Sequence, residues 1–269
     1  MRDRVVIKWG GGLITDKAAL KTPRIDVLDL LAEQLERCLD NEMDVVLVHG
    51  AGSFGHLKAK QYRLAEGRVN AQEIKGELTQ DEAVEEVRQD MLDLNEHVMN
   101  ALTKRDISAV TLPPHQWARN TGPHFNGDLS LFQDAPPGIV LVTYGDVVEC
   151  DGDSEFGILS GDDLVVRLAV ELPRVKRLVF AMGGVDGVLA EPPQPGREQH
   201  LLTTLEREQV FRGDHASEID VTGGIGLKVE RGFLVLGHGV EVILVCGEAK
   251  QRVADACLGH SVRGTRLVA

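Results

Sequence analysis

The octapeptide His49-Gly50-Ala51-Gly52-Ser53-Phe54-Gly55-His56 carries the densest chemistry in this chain. It follows an apolar run, Val45 to Val48, that reads as a buried parallel strand. Its small residues let the backbone approach a ligand closely, and the residues after them read as a helix start. A strand end, a small-residue turn and a helix N-terminus form an anion site, because free N–H groups and the positive dipole end converge there. His56 adds a group that can hydrogen-bond or protonate a phosphate near neutral pH. His49, at the strand end, reads as a support for the loop.

Two more glycine turns sit near strand ends. Gly10-Gly11-Gly12 follows Val5-Val6-Ile7-Lys8-Trp9, and Thr222-Gly223-Gly224 precedes a helix holding Lys228. Three such turns in one chain, each with a basic group nearby, are better explained by polyphosphate binding than by turn chemistry alone. None fits the Walker A pattern, so this is not a P-loop protein.

Each candidate side chain has a plainer reading beside the functional one. Lys8 either lies on an edge strand with its ammonium reaching water or sits among phosphate oxygens. Lys17 is an ordinary surface lysine by default. His56 is either a satisfied helix histidine or a phosphate ligand. Asp162 and Asp163 suit the first turn of a helix by dipole alone. Lys228, placed early in its helix, is disfavoured by that dipole and so asks for an anionic ligand as counter-charge.

These residues need a scaffold of alternating strands and helices. Strands are expected at Val5–Trp9, Val45–Val48, Ile107–Leu112, Ile139–Thr143, Val147–Val148, Val175–Met182, Val240–Val245 and Thr265–Val268. Helices are expected over Val27–Leu39 and Gln80–Lys104, from Ser160 to about Glu171, and around Lys228. The stretch from His115 to Gly138 is either irregular or a small hairpin over a site, and Glu191–Gln199 reads as a Pro-rich surface loop. The alternation implies an α/β fold with a mostly parallel sheet covered on both faces.

Composition narrows the partners. With 43% hydrophobic and 26% charged residues in 269, the chain is an ordinary soluble sequence with enough length for a substantial core. A net charge of −13 argues against nonspecific nucleic acid or an anionic membrane as partner. No apolar run spans a bilayer, and the N-terminus resembles no signal peptide. Cys38, Cys150, Cys246 and Cys257 are scattered and read as reduced thiols of a cytoplasmic protein.

Taken together the motifs resemble the amino-acid-kinase superfamily, and within it the isopentenyl phosphate kinases. Lys8-Trp9-Gly10-Gly11-Gly12-Leu13-Ile14-Thr15-Asp16-Lys17 resembles that family's opening block, and His49–His56 its most specific signature. Tyr144–Val148, Ile158–Asp162, Val185–Val188 with Glu191-Pro192-Pro193, Asp220–Gly224 with Lys228, and Gly264-Thr265 follow in the family's order. Three departures stand out: Trp9 for an aliphatic residue, Gly12 for Ser or Ala, and Gly183-Gly184 for Thr-Asp.

The resemblance implies a three-layer αβα sandwich in a single domain, 1–269. Its N-terminal part would bind the acceptor phosphate, and the part from about residue 175 the nucleotide. It implies transfer of the γ-phosphoryl group of ATP, with Mg²⁺ bridging ATP oxygens and no metal held by protein ligands, to isopentenyl phosphate. Lys8 and Lys17 would neutralise the phosphoryl group in flight, and Asp162 would orient the lysines. Gly10, Gly11, Gly12, Gly52, Gly184, Asp186, Gly224 and Lys228 would serve ATP. Ala51, Gly52, His56 and Gly161 would serve the acceptor, whose alkyl tail would lie against the helix after His56 and residues 66–99. A homodimer is the family expectation. A kinase of another small phosphate or phosphonate such as fosfomycin, and a non-catalytic nucleotide sensor, are the competing readings.

Overall fold

The computed structural model describes residues 2–16, 18–191, 200–208 and 224–269. From the N-terminus run β1 (Arg4–Trp9), α1 (Gly11–Ile14), α2 (Ile25–Asp40), β2 (Asp44–His49), α3 (His56–Gln61), α4 (Gln80–Thr103) and β3 (Ala109–Thr111). Next come β4 (Ala118–Arg119), β5 (Asn126–Gly127), α5 (Ser130–Gln133), β6 (Val140–Tyr144), β7 (Asp146–Glu149), β8 (Phe156–Leu159) and α6 (Gly161–Glu171). The chain continues with β9 (Val175–Met182), β10 (Thr204–Glu206), α7 (Gly224–Leu236), β11 (Glu241–Cys246), α8 (Arg252–Leu258) and β12 (Gly264–Val268).

Eight strands form the main sheet in the order β10-β12-β11-β9-β1-β2-β6-β3. Every neighbouring pair is parallel except β11 with β12. Strand alternation sends side chains to opposite faces. On β1, Val5, Ile7 and Trp9 join α2, α4 and α8 in one core, whereas Val6 joins α6 and α7 in the other. The result is the αβα sandwich the motifs imply. It also puts Lys8, in step with Val6, on the α6–α7 side. Since β1 lies between β9 and β2, the edge-strand reading of Lys8 is excluded.

Local signals explain the helices. Val27, Leu28, Leu31, Leu35 and Cys38 give α2 its buried stripe. A capping box starts α4: Thr79 N–H donates to Glu82 Oε2 (2.8 Å), and Glu82 N–H donates to Thr79 Oγ1 (3.2 Å). Two expectations change. The strand expected over Ile107–Leu112 shortens to Ala109–Thr111, because Pro113 and the irregular start leave only the part beside β6 in register. The hairpin reading within His115–Gly138 holds, as β4 and β5 pair antiparallel, and β7 covers the expected Val147–Val148, but their union with β8 in a second sheet, β5-β4-β7-β8, went unforeseen. Its strands are too short to show a period, and β7–β8 pair antiparallel across residues 150–155.

Two loops cross where the sheet ends. A Cβ on Gly11 would lie 2.2 Å from Gly52 N, so the first and second glycine turns touch backbone to backbone. Gly52 has φ +52°, and a Cβ there would meet Thr15 Oγ1 at 2.0 Å. Thr15 Oγ1 donates to Gly11 O (2.8 Å) and accepts from Ser53 N (2.9 Å), stitching the turns together. Gly52→Ala is expected to lower unfolding free energy by about 2–4 kcal/mol, because left-handed strain and overpacking each cost about 1–3 kcal/mol. Urea denaturation checks this as a lower midpoint at unchanged slope.

Candidate functional site

The centre of the site is a buried carboxylate between two ammonium groups. Ser160 caps α6: its Oγ accepts from Asp163 N (3.0 Å) and donates to Asp163 Oδ2 (2.7 Å). That start aims the first turn of α6 at β1. Lys8 Nζ lies 2.9 Å from Asp162 Oδ1, and Lys228 Nζ lies 3.1 Å from Asp162 Oδ2 and 3.1 Å from Gly224 O. Asp162 is only 2% exposed. Burial by itself would raise its pKa, but the ammonium groups of Lys228 and then Lys8 outweigh burial and hold it below the ordinary value. The trio therefore presents one net positive charge. The counter-charge that the position of Lys228 asked for is supplied, at least in part, by the protein itself.

Around this trio lies a cavity of about 870 Å³. Gly10, Gly11, Gly12, Ala51, Gly52, His56, Gly161, Asp162, Gly184, Gly224, Lys8 and Lys228 all line it. A Cβ on Gly161 would sit 3.2 Å from Lys8 Cε, so the N-terminus of α6 and the end of β1 meet closely there. Backbone N–H groups at the start of that 11-residue helix suit phosphate oxygens.

One wall is apolar. It comprises Ala59, Val87, Met91, Val147 and Ile158, from α3, α4, β7 and β8. The α3 and α4 contributions fall where the alkyl pocket was expected, but no residue from 60 to 86 lines the cavity. Val147 and Ile158 were missed because they belong to the unforeseen second sheet. The opposite side is formed by Met182, Gly183, Gly184 and Val185 after β9, with Gly224 and Ile225.

One expected residue lies elsewhere. Asp186 is absent from the cavity lining, because beyond the bend at Gly184 (φ +76°) its carboxylate is taken by Arg263 (2.5 Å) and Arg252. The hydrogen bond from Arg263 is the main reason its pKa is depressed. Lys17 lies outside the described residues, as do Pro192-Pro193 and Asp220–Gly223. Asp146 lines the cavity without having been singled out; its carboxylate accepts from Val147 N (2.8 Å) and pairs with His115 Nδ1 at 2.7 Å. Among the described residues no group of three or more His, Cys, Asp or Glu is placed to hold a metal. No described helix is long and apolar enough to cross a membrane.

His49 supports the loop from beneath, as expected. It is fully buried, with Nδ1 3.2 Å from Gly50 O and Nε2 3.3 Å from Asn95 Oδ1, and its ring stands 5.0 Å from that of Tyr144.

The model of the amino acid kinase family matches residues 3–246. The chain belongs to the amino acid kinase family. It is 31% identical over 274 residues to the isopentenyl phosphate kinase of Methanothermobacter thermautotrophicus, covering 98% of each chain. To the isopentenyl phosphate kinase of Thermoplasma acidophilum it is 32% identical over 253 residues, covering 93% of this chain and 95% of that one. An X-ray structure of isopentenyl phosphate kinase superposes with a TM-score of 0.82 at 27% identity, covering 98% of this chain and 100% of the other. Gly10–Gly12, Gly50–Gly52 and Lys8 gather at the C-terminal ends of the parallel strands β1 and β2, and Gly224 and Lys228 line the same cavity.

Burial of His49, opposed by its bonds to Gly50 and Asn95, brings its pKa down from 6.5 to about 4. Between those values the unfolded chain binds a proton that the folded chain refuses, so stability falls as pH drops through this window. From pH 7 to pH 5 this costs the native protein about 2 kcal/mol. Urea unfolding at both pH values should show His49→Gln losing that much less than the native protein.

Proposed function

We propose that the protein transfers the γ-phosphoryl group of ATP to the phosphate of isopentenyl phosphate, giving isopentenyl diphosphate and ADP. One observation carries the reading: the Lys8–Asp162–Lys228 trio, the interlocked glycine turns, His56 and an apolar wall share one cavity. The names of the most similar relatives support it.

An oxygen of the acceptor phosphate attacks the γ-phosphorus, and the bond from that phosphorus to the β,γ-bridging oxygen breaks. The acceptor is already an anion, so the reaction needs positioning and charge stabilisation more than a strong base. In this reading Gly10, Gly11 and Gly12, with Gly184 and Gly224, serve the nucleotide, and Lys8 meets the charge that builds on the transferring group. Lys17 would share that task. Lys228 holds the nucleotide side, while Asp162 keeps both described lysines aimed. Ala51, Gly52 and Gly161 offer backbone contacts to phosphate, and His56 binds the acceptor.

The central carboxylate is committed to two ammonium groups, which fits Mg²⁺ arriving on the nucleotide's own phosphate oxygens. A homodimer and a cytoplasmic setting complete the proposal. The apolar wall favours an alkyl phosphate over fosfomycin, whose carbon skeleton is much smaller.

A coupled assay with isopentenyl phosphate, dimethylallyl phosphate and fosfomycin separates the readings. Mg²⁺-dependent ADP release with the first is expected. Turnover of fosfomycin alone would refute the isoprenoid assignment, and ATP binding without any turnover would favour a sensor. His56→Ala and Lys8→Met are each expected to lower kcat/KM by about 100-fold or more, as loss of a preorganised donor does. Normal turnover in Lys8→Met would remove the charge-neutralising role from that lysine.

A further inference from the structure

A second buried carboxylate repeats the central design at the acceptor end. Asp90, on α4, is 3% exposed and is flanked by two ammonium groups from different segments. Lys21 Nζ lies 2.5 Å from Asp90 Oδ1, and Lys58 Nζ lies 3.3 Å from Asp90 Oδ2. Lys58 also pairs with Glu86 at the exposed rim of the same helix.

The two lysines adjoin two separate segments that line the acceptor compartment. Lys21 ends a segment whose Ala18, Ala19 and Leu20 line the cavity, and Lys58 follows His56 and Leu57 in the other. Val87 and Met91, one turn before and one residue after Asp90, line the cavity between them. Backbone bonds also hold the first segment: Asp16 N–H donates to Thr22 O at 2.9 Å. Lys21 has a left-handed backbone (φ 46°) and donates its N–H to Ser53 O at 3.2 Å, while Thr22 N–H donates to Ser53 Oγ at 3.3 Å. Leu20 is 68% exposed and so contributes little packing of its own.

We infer that Asp90 is a positioning residue for the acceptor: through Lys21 and Lys58 it fixes the separation of the two segments that enclose the substrate phosphate and the start of its tail. Asp90 itself touches neither substrate. A carboxylate suits the task because one buried anion can hold two cations from separate elements at a defined distance, and a polar pair sets registry where apolar contacts would slide. Glu86 cannot take its place, since among the described residues it pairs with Lys58 and not with Lys21. This inference rests on the reading of the cavity as an acceptor site.

The test uses Asp90→Asn, Lys21→Met, Lys58→Met and the Lys21→Met/Lys58→Met double variant of the full chain. Rates are measured with each substrate varied in turn. In Asp90→Asn the KM for isopentenyl phosphate should rise about tenfold or more, while the KM for ATP stays within about twofold. Each lysine variant should raise the acceptor KM by less, the double variant should match Asp90→Asn, and Lys21→Arg should keep the native value. If Asp90→Asn does not fold, the double variant, which alters only side chains at the cavity rim, carries the comparison.

Hydrogen exchange of amides 18–22 and 56–61 provides a readout without substrate. Both segments should exchange faster in Asp90→Asn while β1 and β2 are unchanged. An unchanged acceptor KM, a parallel rise in both KM values, or unchanged exchange in a folded variant would each overturn the inference. If the native protein ignores isopentenyl phosphate, the proposed function fails on its own, and exchange still decides the clamp.

Discussion

The organisation of this protein turns on one ionised carboxylate kept out of water. Lys8 and Lys228 on either side of Asp162 hold it ionised against the burial that opposes its charge, and it in turn anchors both lysines. Such a group is a poor source of stability, since desolvating the ions offsets much of their attraction. Its effect is to specify. It requires β1, the start of α6 and the second turn of α7 to meet at a single point, although those elements lie far apart in the chain.

The surrounding architecture meets that requirement with simple devices. Parallel strands bring the first two glycine turns to the same edge of the sheet, and α7 brings Gly224 to the cavity they line. Alternation along β1 turns Lys8 toward α6 and α7 while its neighbours Ile7 and Trp9 fill the opposite core. The Ser160 cap fixes where α6 begins, and so which of two adjacent aspartates reaches the lysines. Asp162 takes the centre, while Asp163 turns outward to Arg231 at 2.7 Å. Removing Cβ atoms where the first two turns cross lets their N–H groups face the same space. The site is built from backbone as much as from side chains, which suits a reaction whose charge is spread over many oxygens.

Much of this was legible in the residues. The apolar runs placed the strands of the main sheet except the three-residue edge strand β10, because a strand buried on both faces must be continuously apolar. The 3.6-residue period placed α2 and α4. Small residues at strand ends marked the cradle, and His56 stood out because an imidazole at the end of such a turn has few other uses. The second sheet as a unit was not legible: Val147–Val148 and a hairpin were read, but strands of two to four residues carry no period that shows how they pair. Asp90 gave no signal either: an aspartate in a polar amphipathic helix looks solvated until its helix is packed. Asp186 misled for a related reason, as a motif position does not say which arginines will claim the side chain.

The chain by itself determined the sheet, the turns and the list of groups able to handle phosphate, because periodicity, backbone freedom and charge are local properties. Tertiary structure decided which of them act together. It gave Lys228 a carboxylate in place of the purely external counter-ion its position asked for, and it made Lys8 a central residue rather than an edge one. It also drew Val147 and Ile158 to the apolar wall. These outcomes depend on distances between segments far apart in the chain, and they are fixed only when burial forces ionised and apolar groups to find partners.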